Sequence, residues 1–96
     1  MPRRLLDRIR VAIRSGDYDV TKHAVDEMAE DGLDIVDVET SILNGRIRKT
    51  ETGDPRGPRH TIHGVAADGV TPVGSAGRFT ETDRYLIITA YEVTDE

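Results

Sequence analysis

Hydrophobic positions change their period partway along the chain, and the change separates helices from strands. Over residues 3–15, Leu5, Leu6, Ile9, Ala12 and Ile13 recur at steps of three and four, which places them in one stripe of an α-helix. Arg3, Asp7, Arg10 and Arg14 fall on the opposite side, and Gly16 supplies the stop. Tyr18–Val20 reads as a short extended link. Two further helical stripes follow. Val25, Met28 and Ala29 make the first, with Ala24 at its edge; Ile35, Val38, Ile42 and Leu43 make the second. Each has its own start signal. Thr21 is placed as an N-cap between the staple pair Val20 and Val25. Asp34 is placed likewise between Leu33 and Val38, with Asp37 at the third helical position, where a negative charge suits the helix dipole. Gly32 ends the first of these helices, and Asn44-Gly45 predicts a left-handed stop for the second.

After Gly45 the period shortens to two. Residues 46–52 predict a strand with Ile47 on one face and Arg46, Arg48 and Thr50 on the other. Two prolines and two glycines make residues 53–58 a loop. Residues 59–66 predict a second strand, with Arg59, Thr61, His63 and Val65 on one face and His60, Ile62, Gly64 and Ala66 on the other. Ala67-Asp68-Gly69 signals a hairpin. Residues 70–79 carry Pro72, Gly74 and Gly77, which predict a bulged or edge strand. Residues 85–93 are apolar on both faces through Ile88, as a central covered strand is. The expectation is one α+β domain over residues 1–96: a helix over 1–16, a helix pair over 21–45, and a curved antiparallel sheet of about four strands over 46–93, covered by the helices on one face.

Composition narrows the function classes. A chain of 96 residues is near the lower end of what folds without staples. It contains no Cys, so neither disulfides nor thiolate metal sites are open to it. No apolar run approaches the roughly 18 residues of a membrane span. The basic N-terminal segment lacks the continuous apolar core of a signal peptide, so a cytoplasmic protein that engages no membrane is expected. The net charge of −5 argues against indiscriminate nucleic-acid binding, but the charge is segregated. Residues 1–16 hold five Arg and one Asp, residues 17–45 nine acids and one Lys, and residues 46–60 five bases and two acids. An anion-binding face beside an acidic face follows from that distribution.

Several familiar chemistries are absent. His60 and His63 would share a side on a helix, but on a strand residues three apart face opposite ways, so no metal site is expected. Gly74-Ser75-Ala76-Gly77 precedes no helix and makes no phosphate cradle, and Ser75 lacks the turn of an activated nucleophile. No cofactor is expected. What remains is a set of His23, Arg46, Arg48, Arg59, His60, His63, Arg78, Arg84 and Tyr91. Arg46, Arg48 and Arg59 flank one loop, in strands that pair as a hairpin, and share a face with His63. Arginine for an anion with histidine for proton transfer is what metal-free RNA cleavage requires: a base for the 2′-hydroxyl, a cation for the phosphorane, an acid for the leaving oxygen. The same set on a binding-only domain holds a phosphate or a partner's carboxylate.

The order of signals resembles a known family. A short strand runs into Thr21-x-His23-Ala24, a helix ends at Gly32-Leu33, and a capped helix ends at Asn44-Gly45. A Pro58-Arg59 loop then leads to a strand ending His63-Gly64, and the last strand reads Ile87-Ile88-Thr89-x-Tyr91. This resembles the bacterial family called domain of unknown function 4258. The resemblance implies a RelE-like fold and a relation to the RelE-, BrnT- and HigB-like toxins of toxin–antitoxin pairs, metal-independent mRNA endoribonucleases that work mostly at the ribosome. It implies RNA or ribosome and a cognate antitoxin as partners. His23, Arg59, Gly64, Thr89 and Tyr91 match the motif residues. The catalytic set expected is then His23, Arg59, His63 and Tyr91, with His23 or His63 transferring the proton and Tyr91 orienting, and Arg46, Arg48 and Arg78 holding RNA phosphate. The alternative is a non-catalytic protein- or RNA-binding module on the same fold. The chain departs from the family at Asp31, where an Arg is frequent, which sets Glu30 and Asp31 in place of a cation near His23.

Overall fold

The computed structural model describes residues 4–94; Arg3, counted above into the first helix, lies outside them. The elements run α1 (Leu5–Ser15), β1 (Tyr18–Val20), α2 (Lys22–Glu30), α3 (Ile35–Asn44), β2 (Arg46–Glu51), β3 (Arg59–Val65), β4 (Pro72–Phe79) and β5 (Tyr85–Glu92). The domain is α+β, as the change of period predicts. The sheet, however, has five strands rather than four and is mixed, in the order β1-β5-β4-β3-β2. The added strand is the short extended link, which runs parallel to β5 with Tyr18 opposite Tyr85 and Val20 opposite Ile87. Three residues carry no periodicity from which a partner could be read. Arg84 fastens them: its guanidinium donates to Asp19 at 2.8 Å and to the Tyr18 carbonyl at 3.0 Å.

The starts of α2 and α3 are those the sequence predicts, while α1 begins at Leu5, with Arg4 extended before it. Thr21 accepts the Ala24 N–H at 3.1 Å. Asp34 and Asp37 form a reciprocal capping box, each side chain accepting the other's N–H at 3.1 Å. The end of α3 is different. Gly45 has φ −90° and ψ −171°, extended rather than left-handed, so the chain passes from helix to strand without a turn. Glycine is needed there for space. A Cβ on Gly45 would stand 2.5 Å from the His63 carbonyl oxygen, and one on Gly64 would stand 2.0 Å from the Ser41 carbonyl oxygen. The two glycines let the last turn of α3 lie directly on β3. Asn44 then stands at the register position opposite Val65, and its side-chain amide takes over the ladder, donating to the Val65 carbonyl at 3.0 Å and accepting the Val65 N–H at 2.9 Å.

Helix α2 buries Ala24 and Met28, while Val25 and Ala29 are exposed, so its apolar stripe is narrower than predicted and turned by one position. The reason is its position beside β5, beyond the point where β1 stops. Thr21 donates its N–H to the Ile87 carbonyl at 3.0 Å and its hydroxyl to the Ile88 carbonyl at 2.7 Å. Further on, Glu27 accepts the Ala90 N–H at 3.2 Å and Asp31 accepts the Glu92 N–H at 2.8 Å. Helices α1 and α3 supply Ile9, Ile13, Val38 and Ile42 to a core shared with Ile62, Val73, Tyr85 and Ile87 of the sheet. Each such aliphatic side chain contributes about 1.5–3 kcal/mol by its burial. Strand β4 lies inside the sheet between β5 and β3, not at an edge. The irregularity its glycines predict is carried by its neighbour: Ala76 and Gly77 pair with Thr89 and Ile87, and Ile88 is the extra residue. No helix among the described residues is long and apolar enough to cross a membrane.

Gly64→Ala should therefore destabilise the fold by about 3 kcal/mol, the upper range for overpacking against rigid backbone. A urea unfolding midpoint unchanged from wild type would show that α3 does not press on β3 at this point.

Candidate functional site: the open face of the sheet

Two rows of cross-strand neighbours build a hollow on the face of the sheet turned away from α1 and α3. One row runs Arg46, His63, Gly74, Tyr91; the other runs Lys49, Thr61, Ala76, Thr89. In both rows β4 supplies the smallest member, so the centre of the sheet is low and the flanking strands rise on either side. Gly74 has a specific reason to be glycine, since a Cβ there would lie 2.6 Å from the Tyr91 ring. The ring lies across β4 and meets His63 edge-on, with centroids 6.5 Å apart and planes at 88°. The resulting hollow has a volume of about 440 Å³ and is lined by Arg48, Lys49, Glu51, Arg59, Thr61, His63, Ala76, Thr89 and Tyr91.

A bulge in β2 decides which cations reach it. Ile47 pairs with Ile62 and Lys49 with Thr61, so Arg48 is the extra residue. Arg48 and Lys49 consequently both line the hollow. Beyond the bulge the strand's alternation is reversed. Thr50, predicted to share a face with Arg46 and Arg48, is turned to the other side, where its hydroxyl lies 3.1 Å from His60 Nδ1. Glu51 takes its place on the open face and accepts from Arg59 at 2.9 Å, with Lys49 at 4.0 Å. The Arg59 hydrogen bond, then the Lys49 and Arg59 charges, hold the Glu51 carboxyl below its usual range. Three cations against one carboxylate make this face positive within a chain of net charge −5.

Burial, and then the neighbouring Arg48, lower the pKa of His63 from its ordinary 6.5. The imidazole is neutral at pH 7, the form in which it accepts a proton. His60 also titrates low, through burial alone, but it faces the core side and is 5 % exposed. The two histidines thus occupy opposite faces, as strand geometry requires, and among the described residues no cluster of three or more His, Cys, Asp or Glu could hold a metal ion.

The other sequence-predicted residues lie outside the hollow. His23, in the first turn of α2, has a side chain 70 % exposed, with Nε2 3.3 Å from Glu27 Oε1. Glu27 in turn accepts the Thr89 hydroxyl, so His23 reaches the hollow only through two intervening side chains. The anion facing His23 is Glu27; Asp31 is engaged with the Glu92 amide. Arg46 stands opposite His63 but donates to the Gly45 carbonyl at 2.9 Å. Arg78 lines a separate recess of about 200 Å³ with Arg56, Thr80 and Glu81. Arg84 fastens β1, as described. Of the expected set, Arg48, Arg59, His63 and Tyr91 come together. Lys49, Glu51 and Glu27 were not among the residues the sequence singled out: the first two depend on the bulge, and the third on where α2 meets β5.

The family described as domain of unknown function (DUF4258) matches residues 20–92, and the chain belongs to it. No curated protein and no solved structure matches the chain.

A proton-NMR titration should place the His63 midpoint below 6.5, and Arg48→Met should raise it partway while burial keeps it low. Both His60 and His63 have folded values below the unfolded 6.5. The unfolded chain therefore takes up protons first, and stability present above pH 6.5 is lost as the pH falls through the folded values. An Arg48→Met midpoint equal to wild type would remove Arg48 from the neighbourhood of His63.

Proposed function

We propose that this member of the domain of unknown function 4258 family uses the open face of its sheet to bind RNA phosphate and to cleave the strand without a metal, as a toxin-like mRNA endoribonuclease. The observation that carries the reading is that Arg48, Lys49, Arg59 and a neutral His63 line one hollow. A phosphodiester seated against the three cations places its 2′-hydroxyl beside the imidazole. His63 takes the 2′-proton, the 2′-oxygen bonds to phosphorus, and the guanidinium groups of Arg48 and Arg59 stabilise the charge that grows on the phosphorane. The bond to the 5′-oxygen breaks, and the Lys49 ammonium returns a proton to it, which leaves a 2′,3′-cyclic phosphate and a 5′-hydroxyl. Tyr91, edge-on to His63, holds the imidazole in place. His23 stands outside this set. The ribosome and a cognate antitoxin are the partners the reading brings with it.

A second reading, a non-catalytic RNA- or protein-binding module, is favoured by one observation. Arg59 already has a carboxylate partner in Glu51, so an incoming phosphate must compete for it.

Incubation with single-stranded RNA separates the two. The catalytic reading predicts fragments with 2′,3′-cyclic phosphate ends, cleavage reduced about 10²- to 10⁴-fold by His63→Ala, and arrest of bacterial growth on expression that Arg59→Ala relieves. RNA bound but recovered intact, with unimpaired growth, would leave only the binding module.

A further inference from the structure

The wall of the hollow formed by β5 has an asymmetry that the cleavage reading does not use. Thr89 lines the hollow, and its hydroxyl proton is donated away from it, to Glu27 Oε1. Glu27 is fixed in that role from two further directions: the same oxygen accepts the Ala90 N–H at 3.2 Å and lies 3.3 Å from His23 Nε2. A hydroxyl has one proton and two lone pairs. With the proton committed to a carboxylate, a bond roughly twice as strong as one between neutral groups, Thr89 offers only lone pairs to whatever occupies the hollow. It is an acceptor, and it discriminates in favour of donors.

What meets it follows from where the phosphate sits. Thr89 on β5 stands opposite Ala76 of β4 and, beyond it, Thr61 of β3, about 9–10 Å away across two strand spacings, and Arg59 lies two residues farther along β3. A ribose 2′-hydroxyl is on the carbon next to the 3′-oxygen and stays near the phosphate and His63. The group that reaches the far wall is the base.

Resting on the reading of the hollow as an RNA phosphate site, we propose that Thr89, held by Glu27, selects nucleobases that present an amino group over those that present a carbonyl at the same position, so that the site prefers cytosine to uracil. Cytosine and uracil are matched for the purpose. Cytosine carries an amino donor on C4 where uracil carries a carbonyl acceptor. The donor meets the Thr89 lone pairs; the carbonyl faces them without a proton between, unless Thr89 gives up Glu27. Glu27 is here a positioning residue, acting through Thr89.

The test uses cytidine 3′-monophosphate and uridine 3′-monophosphate, which have no bond for the enzyme to cleave, titrated into the isotope-labelled full chain by NMR. The wild-type protein should bind the cytidine nucleotide about threefold to tenfold more tightly, the worth of one net hydrogen bond. Thr89→Ser should keep the preference. Thr89→Val should abolish it by weakening the cytidine nucleotide alone, with uridine 3′-monophosphate binding as the check that the variant is folded; Thr89→Ala serves if the valine variant is not. Equal binding of the two nucleotides by wild type, or a preference that survives Thr89→Val, would overturn the proposal while leaving the phosphate site standing. Binding of neither nucleotide would overturn both.

Discussion

A strand that outruns its neighbour leaves amides and carbonyls with nothing opposite, and this fold meets that constraint twice with helix side chains. Where β2 begins later than β3 ends, the Asn44 amide stands in for a strand residue and bonds both backbone groups of Val65. Where β1 stops at Val20, the carboxylates of Glu27 and Asp31 accept the Ala90 and Glu92 N–H groups of β5. An unpaired buried amide costs about 1–3 kcal/mol, and an open strand edge invites pairing with another chain. The bonds therefore fix where α2 and α3 sit on the sheet. They also explain part of the acidity of the helix pair. Glu27, Asp31, Asp34 and Asp37 all accept backbone N–H groups, Asp37 from Ala67 as well as within the capping box. Asp31 has a structural use of its own, as the acceptor that closes the end of β5.

The same placement leaves one face of the sheet open and gives it a shape. With α1 and α3 on the far side and α2 along the β5 edge, no helix among the described residues covers the rows that cross β4 at Gly74 and Ala76, and only neighbouring side chains such as the Tyr91 ring lean over them. Those two small residues make a floor, the bulged hairpin of β2 and β3 makes a cationic wall, and Thr89 and Tyr91 make the other. Cations gather there because the bulge at Arg48 adds a second basic residue to the same face. His63 is neutral because it is partly buried and sits beside Arg48. Position, charge and protonation thus trace back to one extra residue in β2 and two small ones in β4.

Local signals carried much of this in the sequence. Thr21, Asp34 and Asp37 announce their caps, the two-residue period announces β2 and β3, a run apolar on both faces announces β5, and the opposed faces of His60 and His63 follow from strand geometry alone. Nonlocal facts did not show. Three residues of β1 say nothing of β5, and a bulge has no periodicity, so Lys49 and Glu51 were hidden while Thr50 was assigned to the wrong face. Gly45 reads as a helix stop, Gly74 as a strand weakener and Gly64 as one more position on a strand face, when each marks a place where something comes close. His23 stood out because of its motif, yet the group of its helix that touches a wall of the hollow from behind is Glu27, through the Thr89 hydroxyl.

On the proposed reading the open face, and not the acidic helix pair, takes an anionic partner. Backbone amide shifts followed during titration of the full chain with inorganic pyrophosphate test it most directly. Changes concentrated in β2 and β3 at Arg48, Lys49, Arg59 and His63, with smaller ones at Thr89 and Tyr91, are the predicted result. Saturable changes centred elsewhere, or none at these residues, would contradict it.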